Sequence, residues 1–357
     1  MADELRLALA FGLALGTALW ATPLAIRLAY GTSFLDRPVG YKAHAGPTPY
    51  LGGLALMVGF LLPAITLGGG ASDFLVIALG AVGLSAVGTV DDRVGVGPLL
   101  RVVAELAAAV ALWNADLGWS VFHSAAANLV LTLLWVVGLV NAFNLMDNID
   151  GATGIMGMVC AGGGAGVALL DHNVLLAAFA LALSGACAGF LPYNLSGPSR
   201  VFLGDGGSMP IGFVAAAAIM AAPAHVGISA TAVLVAAPLV GLPILDTTLV
   251  TVSRLRRGVP VMTGGRDHIT HRLLRSLGSA RTTALVLGLA QAVLCGLGLV
   301  LFGATHTTIM LAAMVYVSVG AAVILALDLP YIREAVRVVD GVAASTRPAP
   351  AQQETSP

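Results

Sequence analysis

The chain has 357 residues, of which 58% are hydrophobic and 10% charged, with a net charge of −1. A soluble globular protein carries about 25% charged residues, so a pair of ordinary soluble domains is excluded. The near-neutral balance singles out no partner, and no nucleic acid is expected.

Apolar runs of about 18 residues or more can cross a bilayer as helices, because backbone polar groups in lipid need partners within the segment. Eleven such runs follow one another, at about 5–29, 50–68, 73–90, 99–117, 126–146, 152–170, 174–192, 208–223, 228–252, 281–303 and 306–328. The expected fold class is an all-α, polytopic membrane protein with about 11 transmembrane helices. The first run has Asp3 and Glu4 before Arg6 and is too long for a cleaved signal, so it reads as an anchoring span. With the amino terminus outside, every Lys and Arg except Arg6 falls on or at the edge of the cytoplasmic side. The outward connections instead hold Asp73, Asp116 and Asp171. That asymmetry follows the positive-inside rule and places the carboxyl terminus in the cytoplasm. A transmembrane domain is expected over 1–330, with a polar, disordered cytoplasmic tail over 331–357. Cys160, Cys187 and Cys295 lie inside apolar runs and have no disulfide or zinc spacing, so they are expected as small buried residues. The run "CAGGGAG" (160–166) is expected to pack closely against a neighbouring helix.

The polar residues gather in five inward connections. The first, "DRPVGYKAHAGPTPYLGG" (36–53), contains Lys42, the only lysine in the chain, placed for a phosphate or simply for a basic interfacial turn. Asp91 and Asp92 close the third run. Neighbouring helical residues point different ways, so the pair suits one metal ligand and one catalytic or orienting group; the alternative is a solvated pair at the membrane edge. Acids gain nothing at a helix C-terminus, where the dipole is already negative, and a cation would relieve that cost. Arg101 opens the next run, placed to meet a phosphate or to snorkel. In "NAFNLMDNIDGATG" (141–154), Asn144, Asp147 and Asp150 are spaced i, i+3, i+6 and would form one polar stripe on a helix. Asp205 sits between glycines in "RVFLGDGGSMPIGF" (200–213), at the start of a helix, where an anion can bind or an Asp can cap. The fifth connection, "RLRRGVPVMTGGRDHITHRLLRS" (254–276), holds six arginines with His268 and His271 at i, i+3 spacing. Such residues serve a metal or a phosphate, or else form a solvated basic loop. Asp246, inside the ninth run, is a functional candidate by depth or a partner for a neighbouring helix. All five clusters share one membrane face, as expected for a site that takes a phosphorylated anion with a divalent cation.

The motifs "HAGPTPYLGG", "DD" after the third run, "NAFNLMDNIDG", "FLGDGGS", "PILDTTLVTVSRL" and "HITHRL" occur in an order that resembles the polyprenyl-phosphate N-acetylhexosamine-1-phosphate transferases, the WecA/MraY superfamily, over about residues 1–328. The resemblance implies an enzyme that moves a sugar 1-phosphate, most simply GlcNAc 1-phosphate, from a UDP-sugar to a polyprenyl phosphate on the cytoplasmic face of the cell membrane. The products are a lipid-diphosphate sugar and UMP, the first membrane step of cell-envelope glycan synthesis. It implies Mg2+, with Mn2+ able to replace it, as cofactor, and as partners a UDP-N-acetylhexosamine, a polyprenyl phosphate and the bilayer, with a homodimer allowed. By resemblance, Asp205 matches the metal ligand, and Asp91 and Asp92 the acidic pair at the reaction centre. Asn144, Asp147 and Asp150 match the stripe that holds nucleotide and diphosphate, and His268 and His271 the loop on the diphosphate and sugar side. Arg101 and Lys42 match phosphate contacts. "PTPYLGG" and the spaced H-x-x-H are closer to the WecA branch, with an MraY-like phospho-MurNAc-pentapeptide transferase as the alternative. Asn148, Ala152, Gly265 and Thr270 depart from the common pattern, which bears on sugar specificity more than on reaction class. A secondary transporter of an anionic solute is the alternative of another class, disfavoured because its site would lie at the midplane between repeats.

Overall fold

The computed structural model describes residues 2–37, 46–67, 72–222, 230–262 and 264–345, with residues 72 and 330–345 as backbone alone. Lys42 lies outside the described residues. The first four helices are α1 (Asp3–Gly31), α2 (Gly52–Leu67), α3 (Ser72–Val94) and α4 (Pro98–Asn114). They are followed by α5 (Ala125–Met146), α6 (Ala152–Leu170), α7 (Val174–Asn194) and α8 (Asp205–Ala221). The last five are α9 (Ala230–Ala236), α10 (Gly241–Arg257), α11 (Ile269–Leu277), α12 (Ala280–Phe302) and α13 (His306–Ser345). Between α1 and α2 a small antiparallel ribbon pairs β1 (Leu35–Asp36) with β2 (Thr48–Pro49). The all-helical, membrane-spanning class is the one expected: among the described residues, eight helical stretches are long and apolar enough to cross a bilayer. The three other apolar runs fall on the shorter α2, α4 and α8.

The centre of the bundle is α8. Every residue from Gly206 to Met220 is buried, and apart from Ser208 this stretch consists of Gly, Ala and larger apolar residues. It is packed by α2, α3, α5, α6 and α7. In lipid, helices associate through close packing of small residues rather than through a hydrophobic driving force. The first turn of α8 shows how far this goes. A Cβ at Gly53 of α2 would strike the backbone of Gly206 and Gly207, and one at Gly88 of α3 would strike the carbonyl of Asp205. Polar side chains fasten the same seams. Ser85 donates to the Gly206 carbonyl at 2.7 Å, and Trp135 Nε1 of α5 to the Ala216 carbonyl at 3.1 Å. The Gly-rich run of α6 does lie against a neighbour, with Gly163 at Cys295 and Gly166 at Leu299 of α12. The three cysteines are free thiols buried in the core.

Two elements depart from the apolar pattern. The ninth run is broken: α9 gives way to a 3-10 turn (Ala237–Val240) before α10. Pro238 removes a helical donor, and Gln291 of α12 repairs the break. Its Nε2 donates to the carbonyls of Pro238 and Leu239 at 3.0 and 2.9 Å, and its Oε1 accepts from the N–H of Leu242 at 2.9 Å. At the other end, α13 continues through Ser345, past the domain boundary placed at residue 330. After Pro330 the next proline is Pro348, so nothing in the intervening stretch breaks a helix.

Candidate active site

The site is assembled where α3 and α5 end and α4 and α8 begin. Asp91 Oδ2 and Asp205 Oδ2 both accept from one nitrogen, Arg101 Nη1, at 3.0 and 2.5 Å. Asn144 Nδ2, on the last turn of α5, donates to Asp205 Oδ1 at 2.7 Å and to Ser208 Oγ at 3.0 Å. Two carboxylates from different helices thus converge on a single cationic atom. One turn further along α4, the buried Glu105 accepts from Asn141 Nδ2 of α5 at 2.5 Å, which fixes α4 against α5.

Asp92 has a different task. Its Oδ1 accepts from the N–H of Asp205 at 3.0 Å and its Oδ2 from the N–H of Gly206 at 3.1 Å. The first N–H groups of a helix have no partner within the helix, and α8 has no capping side chain of its own. Its N-cap, Gly204, has φ +71°, and a Cβ there would lie against the Asp92 carboxylate. Glycine therefore lets a residue of α3 cap a helix more than a hundred positions later in the chain, with the negative charge at the positive end of the dipole. The sequence assigned the adjacent pair two different tasks without saying which residue takes which, and the contacts differ accordingly: Asp91 faces Asp205 and Arg101, and Asp92 holds the backbone that carries Asp205.

Asn144, Asp147 and Asp150 do not form a helical stripe. α5 ends at Met146, and Asp147 is its C-cap, with its N–H donating to the Asn144 carbonyl at 3.1 Å. The chain turns until Gly151, at φ +81°, whose N–H is held by Asn194 Oδ1 at 2.7 Å, and α6 then starts. The i, i+3, i+6 spacing cannot distinguish a helix from a helix end followed by a tight turn. The turn nonetheless keeps its carboxylates by the site. Burial, followed by the charges of Asp205 and Asp92, holds the Asp147 carboxyl well above the usual range, and Asp150 adds to this. Tyr50, just before α2, faces the same charges: burial and then Asp92, Asp147, Asp205 and Asp36 push its phenol up. Its ring packs edge-on to Phe202. Nothing in its sequence neighbourhood distinguished it from the other residues of its turn.

The two histidines stand at the start of α11. His268 Nδ1 lies 2.7 Å from Asp246 Oδ2, and Asp246 Oδ1 accepts from the N–H of Ile269 at 2.6 Å. Asp246 is fully buried. It orients the histidine and begins α11 with the same carboxylate, and a donating Nδ1 leaves Nε2 for a ligand. His271 Nδ1 is buried without a hydrogen-bond partner among the described residues. Burial, then the charges of His268 and Arg266, lowers its pKa. Two departures noted in the sequence meet here: Thr270 Oγ1 donates to Asn148 Oδ1 at 2.5 Å.

The arginines of this connection are not a solvated basic loop. Arg254 grips Asp267 through Nε and Nη2 at 2.9 and 2.8 Å, and Arg257 adds a contact at 2.7 Å. Against the upward pull of burial, Arg254 and Arg257 lower the Asp267 carboxyl to about 2. Arg256 and Arg272 reach the fully buried Asp328 of α13 at 3.4 and 3.5 Å, and Arg272 also donates to the carbonyls of Asp267 and Leu327 at 2.7 and 2.6 Å. Four of the six inner-loop arginines thus tie α10, α11 and α13 together.

The description "Glycosyl transferase family 4" matches residues 74–222, the stretch from α3 through α8 that holds both converging carboxylates. Over 348 residues the chain is 31% identical to the decaprenyl-phosphate N-acetylglucosaminephosphotransferase of Mycolicibacterium smegmatis, covering 86% of this chain and 82% of that one. Over 306 residues it is 27% identical to the probable undecaprenyl-phosphate N-acetylglucosaminyl 1-phosphate transferase of Bacillus subtilis, covering 80% and 83%. A phospho-N-acetylmuramoyl-pentapeptide-transferase of Heliobacterium modesticaldum is 31% identical over a shorter 225 residues, 57% of this chain. The chain belongs to glycosyl transferase family 4, in the WecA-like branch of the polyprenyl-phosphate N-acetylhexosamine-1-phosphate transferases.

Proposed function

We propose that this protein transfers N-acetylglucosamine 1-phosphate from UDP-N-acetylglucosamine to a polyprenyl phosphate, releasing UMP. The observation that carries this reading is the convergence of Asp91 and Asp205 on one cationic atom, beside a turn of further carboxylates. Two carboxylate oxygens from different helices suit Mg2+, which is held by one or two carboxylates plus substrate phosphates. Asp205 and Asp91 would hold the ion, and Mg2+ bound there supplies charge neutralisation to the diphosphate.

The rest falls to the protein. A phosphate monoester is largely dianionic at neutral pH, so the attacking lipid oxygen needs little deprotonation, and phosphoryl transfer depends mainly on positioning and electrostatics. Arg101 supplies positive charge at the meeting point of the two anions. Asp92 fixes the first turn of α8 and with it Asp205, and Asn144 fixes the Asp205 carboxylate itself. His268, held by Asp246, presents an imidazole to the diphosphate side. Eleven crossings with the amino terminus outside would put these residues on the cytoplasmic face of the cell membrane. The positive-inside distribution of Lys and Arg supports that orientation.

The test is direct. Purified protein with Mg2+, polyprenyl phosphate and radiolabelled UDP-N-acetylglucosamine is expected to yield UMP and a lipid-linked sugar. If neither product forms with any UDP-N-acetylhexosamine, the reading fails.

A further inference from the structure

Asn148 lies in the turn between α5 and α6, one residue from Asp147 and two from Asp150. Both ends of its amide are engaged. Nδ2 donates to the Leu145 carbonyl on the last turn of α5 at 2.7 Å, and Oδ1 accepts from Thr270 Oγ1 at 2.5 Å. Thr270 is fully buried and lies between His268 and His271 at the start of α11. From the other side, Asp246 of α10 fixes His268 and the N–H of Ile269. The beginning of α11 is therefore pinned at two points, by Asp246 and by Asn148.

We propose that Asn148 and Thr270 are positioning residues that set the spacing between the carboxylate turn and the two histidines of α11, and thereby the affinity for the nucleotide diphosphate. The argument rests on the functional reading above. Asn148 and the Thr270 hydroxyl face each other, so their effect is exerted through the residues on either side rather than through substrate contact. α11 is a short helix of nine residues. A short helix has little stability of its own and takes its placement from tertiary contacts, so a single half-buried hydrogen bond at its first turn has leverage over both histidines. Losing it removes a partner of the buried Thr270 side chain and loosens the start of α11. Positions shared by ground state and transition state affect binding more than turnover.

Two removals of the bond are informative: Thr270→Val, which deletes the hydroxyl, and Asn148→Leu, which deletes the acceptor. For each, the KM for UDP-N-acetylglucosamine and the Kd for UDP by titration calorimetry are expected to rise about three- to tenfold, with kcat within about twofold. Thr270→Ser restores the hydroxyl and is expected to recover UDP affinity. The double variant is expected to be no worse than the poorer single variant, because both delete one interaction. Additive losses, a fall in kcat with unchanged UDP affinity, or variants indistinguishable from a wild type that binds UDP and turns over would overturn the cross-link while leaving the functional reading in place. A wild-type protein that neither binds UDP nor forms lipid-linked sugar overturns both.

Discussion

Replacing Asp92 by Asn separates a capping residue from a catalytic one. The carboxylate accepts two backbone N–H groups at the start of α8, at 3.0 and 3.1 Å. Asn keeps one acceptor and turns an NH2 group toward the second N–H, so one bond is lost and the negative charge at the helix N-terminus with it. A hydrogen bond to a charged acceptor contributes about 1.5–3 kcal/mol, and removal of an N-cap costs about 0.5–2 kcal/mol. These describe overlapping parts of one interaction, so a loss of about 2 kcal/mol is expected. In a chain of this size that corresponds to a fall of roughly 3 °C in melting temperature. Turnover is expected to fall as well, because the strained turn carries Asp205. Thermal melting in detergent and turnover at saturating Mg2+ are the two measurements. An Asn variant that melts like the wild type yet loses activity would mean that Asp92 acts in the chemistry, and the capping argument would be wrong.

Arg101→Met removes the cation shared by Asp91 and Asp205. With these groups partly exposed, the melting temperature measured in EDTA is expected to reflect a loss of about 1 kcal/mol, regained in excess Mg2+. An equal response of variant and wild type to Mg2+ would count against the convergent oxygens as the cation site. Asp246→Asn weakens the hold on His268 and on the start of α11, and kcat/KM is expected to drop about tenfold or more with the fold intact; full activity would remove Asp246 from the site. The Asp267 carboxyl is depressed to about 2 in the folded protein. Its contribution is therefore complete above the ordinary carboxylate pKa of about 4 and is lost as pH falls toward 2, an effect of about 2 kcal/mol. Melting curves between pH 5 and pH 2.5 should show this acid-side loss, and Asp267→Asn should reduce it; identical pH profiles for variant and wild type would refute the assignment.

The sequence made the membrane class and most of the side chains around Asp205 legible, because long apolar runs leave few places for charge. It misled where spacing alone had to stand for conformation. The regular interval of Asn144, Asp147 and Asp150 suggested a helix face, and the left-handed Gly151 with its Asn194 anchor makes it a helix end and a turn. The arginines of 254–276 looked available to phosphate, because their partners Asp267 and Asp328 are assigned only by tertiary packing. That Asp91 and Asp92 have different tasks was legible, but which residue takes which was not: the group that Asp92 caps is the backbone of α8, and a backbone N–H has no signature in the sequence. The partner of Asp246 was hidden as well, since an acid inside an apolar run does not announce that a histidine beyond the helix end will meet it.

The backbone contact of α2 and α3 with the first turn of α8 has an evolutionary consequence. Where main chains touch at Gly53 and Gly88, the location of Asp205 is set in part by atoms that every amino acid shares, and at those two positions no side chain is left to vary. The outward surfaces of the same helices, including Leu54, Val58, Leu75 and Leu79, are exposed and carry no part of that seam. The protein can therefore retune the surface it shows to lipids, to suit thicker or more fluid membranes, by substitutions that leave the reacting end of the bundle undisturbed. Adaptation to a host membrane and preservation of the chemistry become separable problems within a single chain.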